Sequence, residues 1–447
     1  MNWGNSLSFR KRITEESSET IRTYGKGGDE MKNKKLLFLG IDTSTADAIE
    51  YAKSKGIYTI VTDYNSPEVK KEKKAADEYW MIDVADFEAL KKRCIEEGIT
   101  NIYAGNHEFC LDQCKRLCKE LGFPFYASDA GWDTARDKGI YKEKCRQAGL
   151  LTPRMYHLDM DFSKKDLEMI RYPVIVKPSD SYGRKGVAVV SNQDELFTAY
   201  KNALVYSENK KIIVEDYIDG NDVFIGCYIH NKKLILLHVT ANQFIIVDGQ
   251  KRYGFGDHFS KFTKLVDDQL LSKYEKLISD LECENGACMF QCVSRDDQLY
   301  NLEFSYRLDG IKTWERIERL AGINQLRMMV DLALGEKVSD DSFIVHESQE
   351  MCVGYVVWSL PGRISKIDGK TDLYSRDDMI VVVDRFDEGD TVLDVTDMRS
   401  LALLIEVFGM TYKEIKEKII DINKKLHYYD ENMHEMLMHR EPDYENW

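Results

Sequence analysis

Tyr172-Pro-Val-Ile-Val-Lys177-Pro-Ser-Asp-Ser-Tyr-Gly183-Arg-Lys-Gly186-Val-Ala-Val is an apolar run ending on a lysine, a turn of small residues, and a second apolar run. The two runs read as strands at Val174–Val176 and Val187–Val190. A lysine at a strand end holds its ammonium at a fixed point in a cleft. Glycines in the turn let backbone amides approach phosphate oxygens closely. Taken alone the pattern is common in α/β enzymes, so its weight rests on its surroundings.

Downstream lies Val214-Glu215-Asp216-Tyr217-Ile218-Asp219-Gly220-Asn221-Asp222. An adenine needs an acceptor for its amino group and an apolar slot, and a ribose needs a carboxylate. Glu215 and Asp222 flank a turn at Gly220, so adjacent strands offer both. A solvated acidic hairpin fits the same residues. Further on come Met289-Phe290-Gln291-Cys292 and Leu302-Glu303-Phe304-Ser305-Tyr306-Arg307. Residues 303 and 305 share one strand face, so Gln291, Glu303 and Ser305 present oxygens to one point. Mg²⁺ takes oxygen ligands and keeps nucleotide phosphates in its octahedron. Arg307 recurs on that face, where it suits a developing oxyanion.

The segment Gly249–Lys264 is basic and aromatic within an acidic protein, and glycines 249, 254 and 256 give it freedom. It reads as a lid carrying Arg252 and His258 onto the γ-phosphate and a substrate carboxylate, or as a solvated hairpin tip.

Upstream, from Lys34, strands at Lys35–Leu39, Ile57–Thr62, Tyr79–Ile82 and Ile102–Ala104 alternate with helices, which implies a parallel sheet. The turn Gly40-Ile41-Asp42-Thr43-Ser44-Thr45 lacks the later glycines of a dinucleotide fingerprint and argues against a dehydrogenase. Asn106-His107-Glu108 ends the fourth strand, where ligands of open α/β sheets collect, although Asn106 also suits a helix cap. Cys110, Cys114 and Cys118 recur every four residues. A buried helix face, shared with Phe109, Leu117 and Leu121, explains them better than a metal site. Residues 1–33 are polar and without period, which reads as a disordered extension. Lys26-Gly-Gly-Asp-Glu before Met31 resembles a translated ribosome-binding site, so Met31 is a candidate natural start.

A length of 447 residues suggests about three domains, and a net charge of −15 disfavours nucleic-acid partners. No apolar run reaches the roughly 20 residues that cross a bilayer, and no secretory h-region opens the chain. Ten cysteines without a CxxC pair fit a reducing cytoplasm.

Taken in order, the three stretches resemble the ATP-grasp superfamily, in the branch with biotin carboxylase and carbamoyl phosphate synthetase. The resemblance spans roughly residues 34–430. It implies an α/β parallel-sheet domain at 34–134, an α+β ATP-grasp domain at 135–336 and a small β-rich domain with a terminal helix at 337–447. It implies Lys138 and Lys177 as phosphate-binding lysines, and Ser181 to Gly186, including Gly183, as the glycine loop. It implies Glu215, Tyr217 and Ile218 as the adenine hinge and Asp222 at the ribose. Gln291, Glu303 and Ser305 become ligands of Mg²⁺ (or Mn²⁺), and Arg307 steadies the acyl phosphate or its attacker. Gln291 and Ser305 depart from the commoner Glu and Asn, leaving one carboxylate at the metal. The implied activity is an ATP-dependent carboxylate–amine ligase with small-molecule carboxylate and amine substrates, no nucleic-acid or membrane partner, and a homodimer as an admissible assembly. A bicarbonate-activating carboxylase, a carbamoyl-phosphate-type enzyme and a degenerate ATP-binding regulatory protein are the alternatives.

Overall fold

The computed structural model describes residues 34–158, 162–180, 185–247, 250–258, 261–345, 348–393 and 400–442. They divide into two compact units. The candidate start at Met31 and the extension before it lie outside the described residues.

The first unit comprises the chain up to Tyr126, then Arg307–Met351 and Gly409–Thr411. Lys35–Leu39 (β1), Tyr58–Thr62 (β2), Glu78–Trp80 (β3) and Asn101–Tyr103 (β4) form a parallel sheet in the order β3-β2-β1-β4. Leu36 to Leu39 are all buried, as a parallel strand covered on both faces requires. The helix Glu108–Leu121 buries Cys110, Leu111, Cys114, Leu117 and Cys118. Its cysteine stripe is therefore core, but Phe109 lies off it and is exposed. The helix Gln325–Ala333 returns to this unit: Lys55 bonds Asp331 and Glu336, each at 2.5 Å, and Asn101 Nδ2 donates to the Ala333 carbonyl. Residues 307–336, expected with the middle domain, thus pack with the N-terminal sheet.

In the second unit Met155–Tyr156 (β5), Val174–Pro178 (β6), Ala188–Val190 (β7) and Ile212–Asp216 (β8) form a small antiparallel sheet, β5-β8-β6-β7. The helix Gln193–Tyr206 packs Leu196, Ala199 and Ala203 on Val174, Val176 and Val214. Asn221–His230 (β9), Lys233–Val247 (β10), Gln250–Asp257 (β11), Gly286–Arg295 (β12), Gln298–Ser305 (β13) and Met351–Ser359 (β14) belong to a larger sheet. Gly362–Arg363 (β15), Lys366–Asp368 (β16), Met379–Asp384 (β17), Thr391–Val392 (β18), Leu401–Gly409 (β19), His427–Tyr429 (β20) and Leu437–Met438 (β21) follow. The large sheet runs β13-β12-β9-β10-β11-β14-β19-β17, with β21 on β14.

The β-rich region after residue 337 is therefore no separate domain. β11 pairs with β14 through Phe255↔Tyr355, Gly256↔Gly354 and Asp257↔Val353, and the sheet continues. The physical reason is burial: Cys352 to Ser359 are buried throughout, as a strand with neighbours on both sides and cover on both faces must be. Among the described residues no helix is long and apolar enough to cross a membrane.

Candidate active site

The helix Lys138–Ala148 starts on Asp137, whose carboxylate accepts from the Gly139 and Ile140 amides at 2.8 and 3.1 Å. It ends at Gly149, at φ +79°. Tyr141 anchors it, donating to Asn301 Oδ1 at 2.9 Å. Lys138 and Lys142, four residues apart, lie on one helix face. Lys142 is fully buried and pairs with the equally buried Glu215. Lys177, at the end of β6, pairs with the other Glu215 oxygen at 2.6 Å. Lys138 Nζ lies 3.2 Å from Glu303.

One buried carboxylate thus faces two lysines. Burial opposes its charge, but the ammonium groups of Lys142 and Lys177 outweigh burial and hold Glu215 below the usual carboxylate range. Burial pushes Lys142 down to about 7, against the attraction of Glu215 and with the repulsion of Lys177. Lys177 moves up, because Glu215 overcomes its burial. The sequence pointed to Lys177 and Lys138 but missed Lys142, whose signal was the four-residue spacing from Lys138. Glu215 was expected to accept from an adenine amino group; its carboxylate is instead the counter-ion of two lysines.

The metal candidates lie on one surface. Gln291 is opposite Glu303 and Met289 opposite Ser305, while Phe290 and Phe304 point to the other side and stack at 5.2 Å. Facing residues of neighbouring strands share a side. The row Glu303–Gln291–Phe224–Thr240 therefore continues across β13, β12, β9 and β10 on that face. Asp222, two residues before Phe224, is on the same side. Residues 217–220 carry the chain from the small sheet to the large one, with the Tyr217 amide donating to the Pro173 carbonyl at 3.2 Å. Ile218 lies in the same connection. Gly220 is required there, since a Cβ would stand 2.3 Å from the Ser294 carbonyl oxygen. Gly186 follows the phosphate turn at φ +71°. Ser181 and Gly183 lie outside the described residues.

The lid expectation is corrected. Residues 250–257 are β11, paired with β10 and, over 255–257, with β14. Arg252 lies opposite Ile245, its guanidinium 5.7 Å from the Trp358 ring. His258 is buried, with Nδ1 2.8 Å from Thr240 Oγ1 and Nε2 2.8 Å from Glu406. A basic, aromatic, glycine-bearing stretch looks mobile in sequence. Here residues 250–257 are sheet residues, and Gly254 and Gly256 admit the close neighbours Ile245 and Asn242, while residues 248–249 and 259–260 lie outside the described residues. Arg307 belongs to the first unit, where its guanidinium meets Glu108 at 3.1 Å and the Leu308 carbonyl at 2.8 Å. Asn106 is joined to Thr43 and to the Asp309 carbonyl, a structural role in that unit.

Residues 146–282 match the sequence family described as "D-ala D-ala ligase C-terminus". The 2-oxoglutarate carboxylase small subunit of Hydrogenobacter thermophilus is 24% identical over 334 residues, 68% of this chain and 67% of that one. A D-alanine–D-alanine ligase of Fusobacterium nucleatum is 24% identical over 208 residues, covering 46% of this chain and 64% of the ligase. The biotin carboxylase domain dimer of the Hydrogenobacter thermophilus 2-oxoglutarate carboxylase, solved with MgADP, ADP and bicarbonate, superposes with a TM-score of 0.70 at 20% identity, over 90% of this chain and 91% of that one. Over these residues the chain is similar to ATP-dependent ligases and carboxylases of the ATP-grasp kind. The Hydrogenobacter thermophilus structure holds MgADP, which makes an oxygen-donor cation site the feature to test against these residues. The donor set fits such an ion: one carboxylate, one amide and one hydroxyl share a face, and all are oxygen donors. Glu303, Gln291 and Ser305 are the residues that would hold it.

Proposed function

We propose that the chain couples a carboxylate to an amine through an acyl phosphate. The observation that carries this reading is an overlap. The family match over residues 146–282 contains Lys177 and Glu215, and the helix that supplies Lys142 and Lys138 adjoins it. Lys177 and Lys138 would hold the polyphosphate oxygens. The substrate carboxylate attacks the γ-phosphorus, and the bond to the bridging oxygen breaks as ADP leaves. The amine then attacks the acyl carbon, phosphate departs, and the amine's proton passes to solvent. Mg²⁺, when bound, offsets phosphate charge. Tyr217, Ile218 and Asp222 would receive the nucleoside, and Ser181, Gly183 and Gly186 would close on the phosphates. The role that the resemblance implies for Arg307 requires its guanidinium to share or leave Glu108. With His258 held by Thr240 and Glu406 and Arg252 lying over the Trp358 ring, this reading gives neither a catalytic role.

The enzyme would be cytoplasmic and would dimerise as the bicarbonate-bound relative does. The second reading, a bicarbonate-activating enzyme, is favoured by the longer span of the carboxylase match, 68% of the chain. ADP release measured against acid–amine pairs and against bicarbonate separates them. Turnover requiring both an organic acid and an amine supports the ligase, and turnover with bicarbonate alone supports the alternative. ATP binding without ADP release from any pair would identify a degenerate binder.

A further inference from the structure

A His/Glu/His group lies in the second unit, spaced His427-x₇-Glu435-x₃-His439. His427 opens β20, Glu435 follows the turn after Asp430, and His439 follows β21. One ligating atom from each residue lies within 4.8 Å of the others. The two imidazoles meet edge to face, with centroids 5.5 Å apart at 83°.

The hydrogen bonds assign the protons. Asn423 Nδ2 donates to the Arg440 carbonyl at 2.8 Å, and Tyr355 donates to Asn423 Oδ1 at 2.6 Å. Asn423 Oδ1 is therefore an acceptor, so His439 Nδ1, at 3.1 Å, carries the proton. His439 Nε2 is left as a lone pair, buried and without a hydrogen-bond partner. His427 Nε2 donates to the Lys424 carbonyl at 3.2 Å, and its Nδ1 faces Glu435 Oε2. Glu435 Oε1 accepts from the Tyr428 and Leu437 amides at 3.3 and 2.9 Å. Each of the three groups thus has its far atom fixed by an outer partner and its near atom turned to a common point. Ligands of a His–His–carboxylate metal site are oriented in this way.

We propose that His427, Glu435 and His439 bind one divalent transition-metal ion, Zn²⁺ by the donor set, with solvent completing the coordination. Imidazole suits zinc, whereas the oxygen set of Glu303, Gln291 and Ser305 suits magnesium. The ion would fasten the β20–β21 turn to the end of helix Tyr412–Lys425, whose Asn423 and Lys424 supply outer partners. The inference stands whether or not the ligase reading does.

The test uses the full chain, stripped with a chelator and titrated calorimetrically with Zn²⁺ in excess Mg²⁺. Wild type is expected to take up one equivalent, and His439→Gln to bind it at least about a hundredfold more weakly, with Mg-ATP affinity unchanged in both. Co²⁺ replacing Zn²⁺ should give visible absorption bands in wild type that the variant lacks. Equal Zn²⁺ affinity in the two proteins, or no uptake by wild type beyond that of the variant, overturns the site and leaves a His427–Glu435 ion pair. A near-ultraviolet thiolate band with Co²⁺ overturns it too, by placing the ion on cysteine. If His439→Gln does not fold, the wild-type Co²⁺ spectrum decides alone: nitrogen-and-oxygen coordination supports the site, and its absence refutes it.

Discussion

Glu215 and Glu303 each meet a lysine, under different conditions. The Glu215 side chain is 1% exposed and lies between Lys142 and Lys177; that of Glu303 is 31% exposed and meets Lys138 at 3.2 Å. The first carboxylate is committed. It is the shared counter-ion of two buried lysines. The second retains access to solvent, so an incoming cation can take it over. In the proposed reading, one would hold the cleft in shape beside the phosphates and the other would be available for chemistry. Substitutions should therefore separate stability from turnover.

Glu215→Gln gives the largest expected effect, on folding. Removing one partner of a buried ionic group leaves unpaired charge, at a cost of about 3–5 kcal/mol. Urea unfolding measures it; a loss under 1 kcal/mol would mean that the lysines are solvated. Glu303→Gln is next and acts on the reaction. It should keep the wild-type unfolding midpoint while ADP release falls roughly 10²–10³-fold. A variant that loses stability but not rate would exchange the two roles.

Lys142→Met sharpens the comparison through pH. Burial lowers Lys142 to about 7 in the folded chain, whereas the unfolded chain keeps its proton to about 10.5, the ordinary lysine value. Between those values the unfolded state binds more protons, so the stability of wild type relative to the variant should rise with pH, by up to about 1.4 kcal/mol per unit. Below pH 7 the difference should be flat. A difference that stays flat between the two Lys142 values would show that Glu215 keeps Lys142 charged.

Ser305→Asn is expected to do least. It restores a longer oxygen donor beside Glu303 and should change the Mg²⁺ concentration for half-maximal ADP release by no more than about tenfold, toward tighter binding. A collapse of activity would show that the hydroxyl, not its reach, is needed.

Much of this was legible locally. The strands after Lys34, the lysine ending β6, the acidic turn and the pair Gln291 and Glu303 are set by alternation, turn residues and chain order. These depend on neighbours a few residues away. Lys142 was hidden because a lysine in an amphipathic helix ordinarily faces water. Its burial follows from Glu215, 73 positions later. His258 misled for the converse reason. Histidine among glycines and basic residues looks like a mobile catalytic group, until Thr240 and Glu406 enclose it.

The sequence by itself determined the parallel sheet, the grasp-like order of motifs and the oxygen donors on one strand face, because periods of two and 3.6 residues fix which side chains share a face. Tertiary structure alone decided that β14 continues the large sheet instead of opening a third domain, and that residues 325–333 return to the first unit. It also decided that His427, Glu435 and His439 converge. Strand partners and buried charges are chosen among distant segments by packing and by the cost of an unsatisfied polar group, and neither leaves a local period to read.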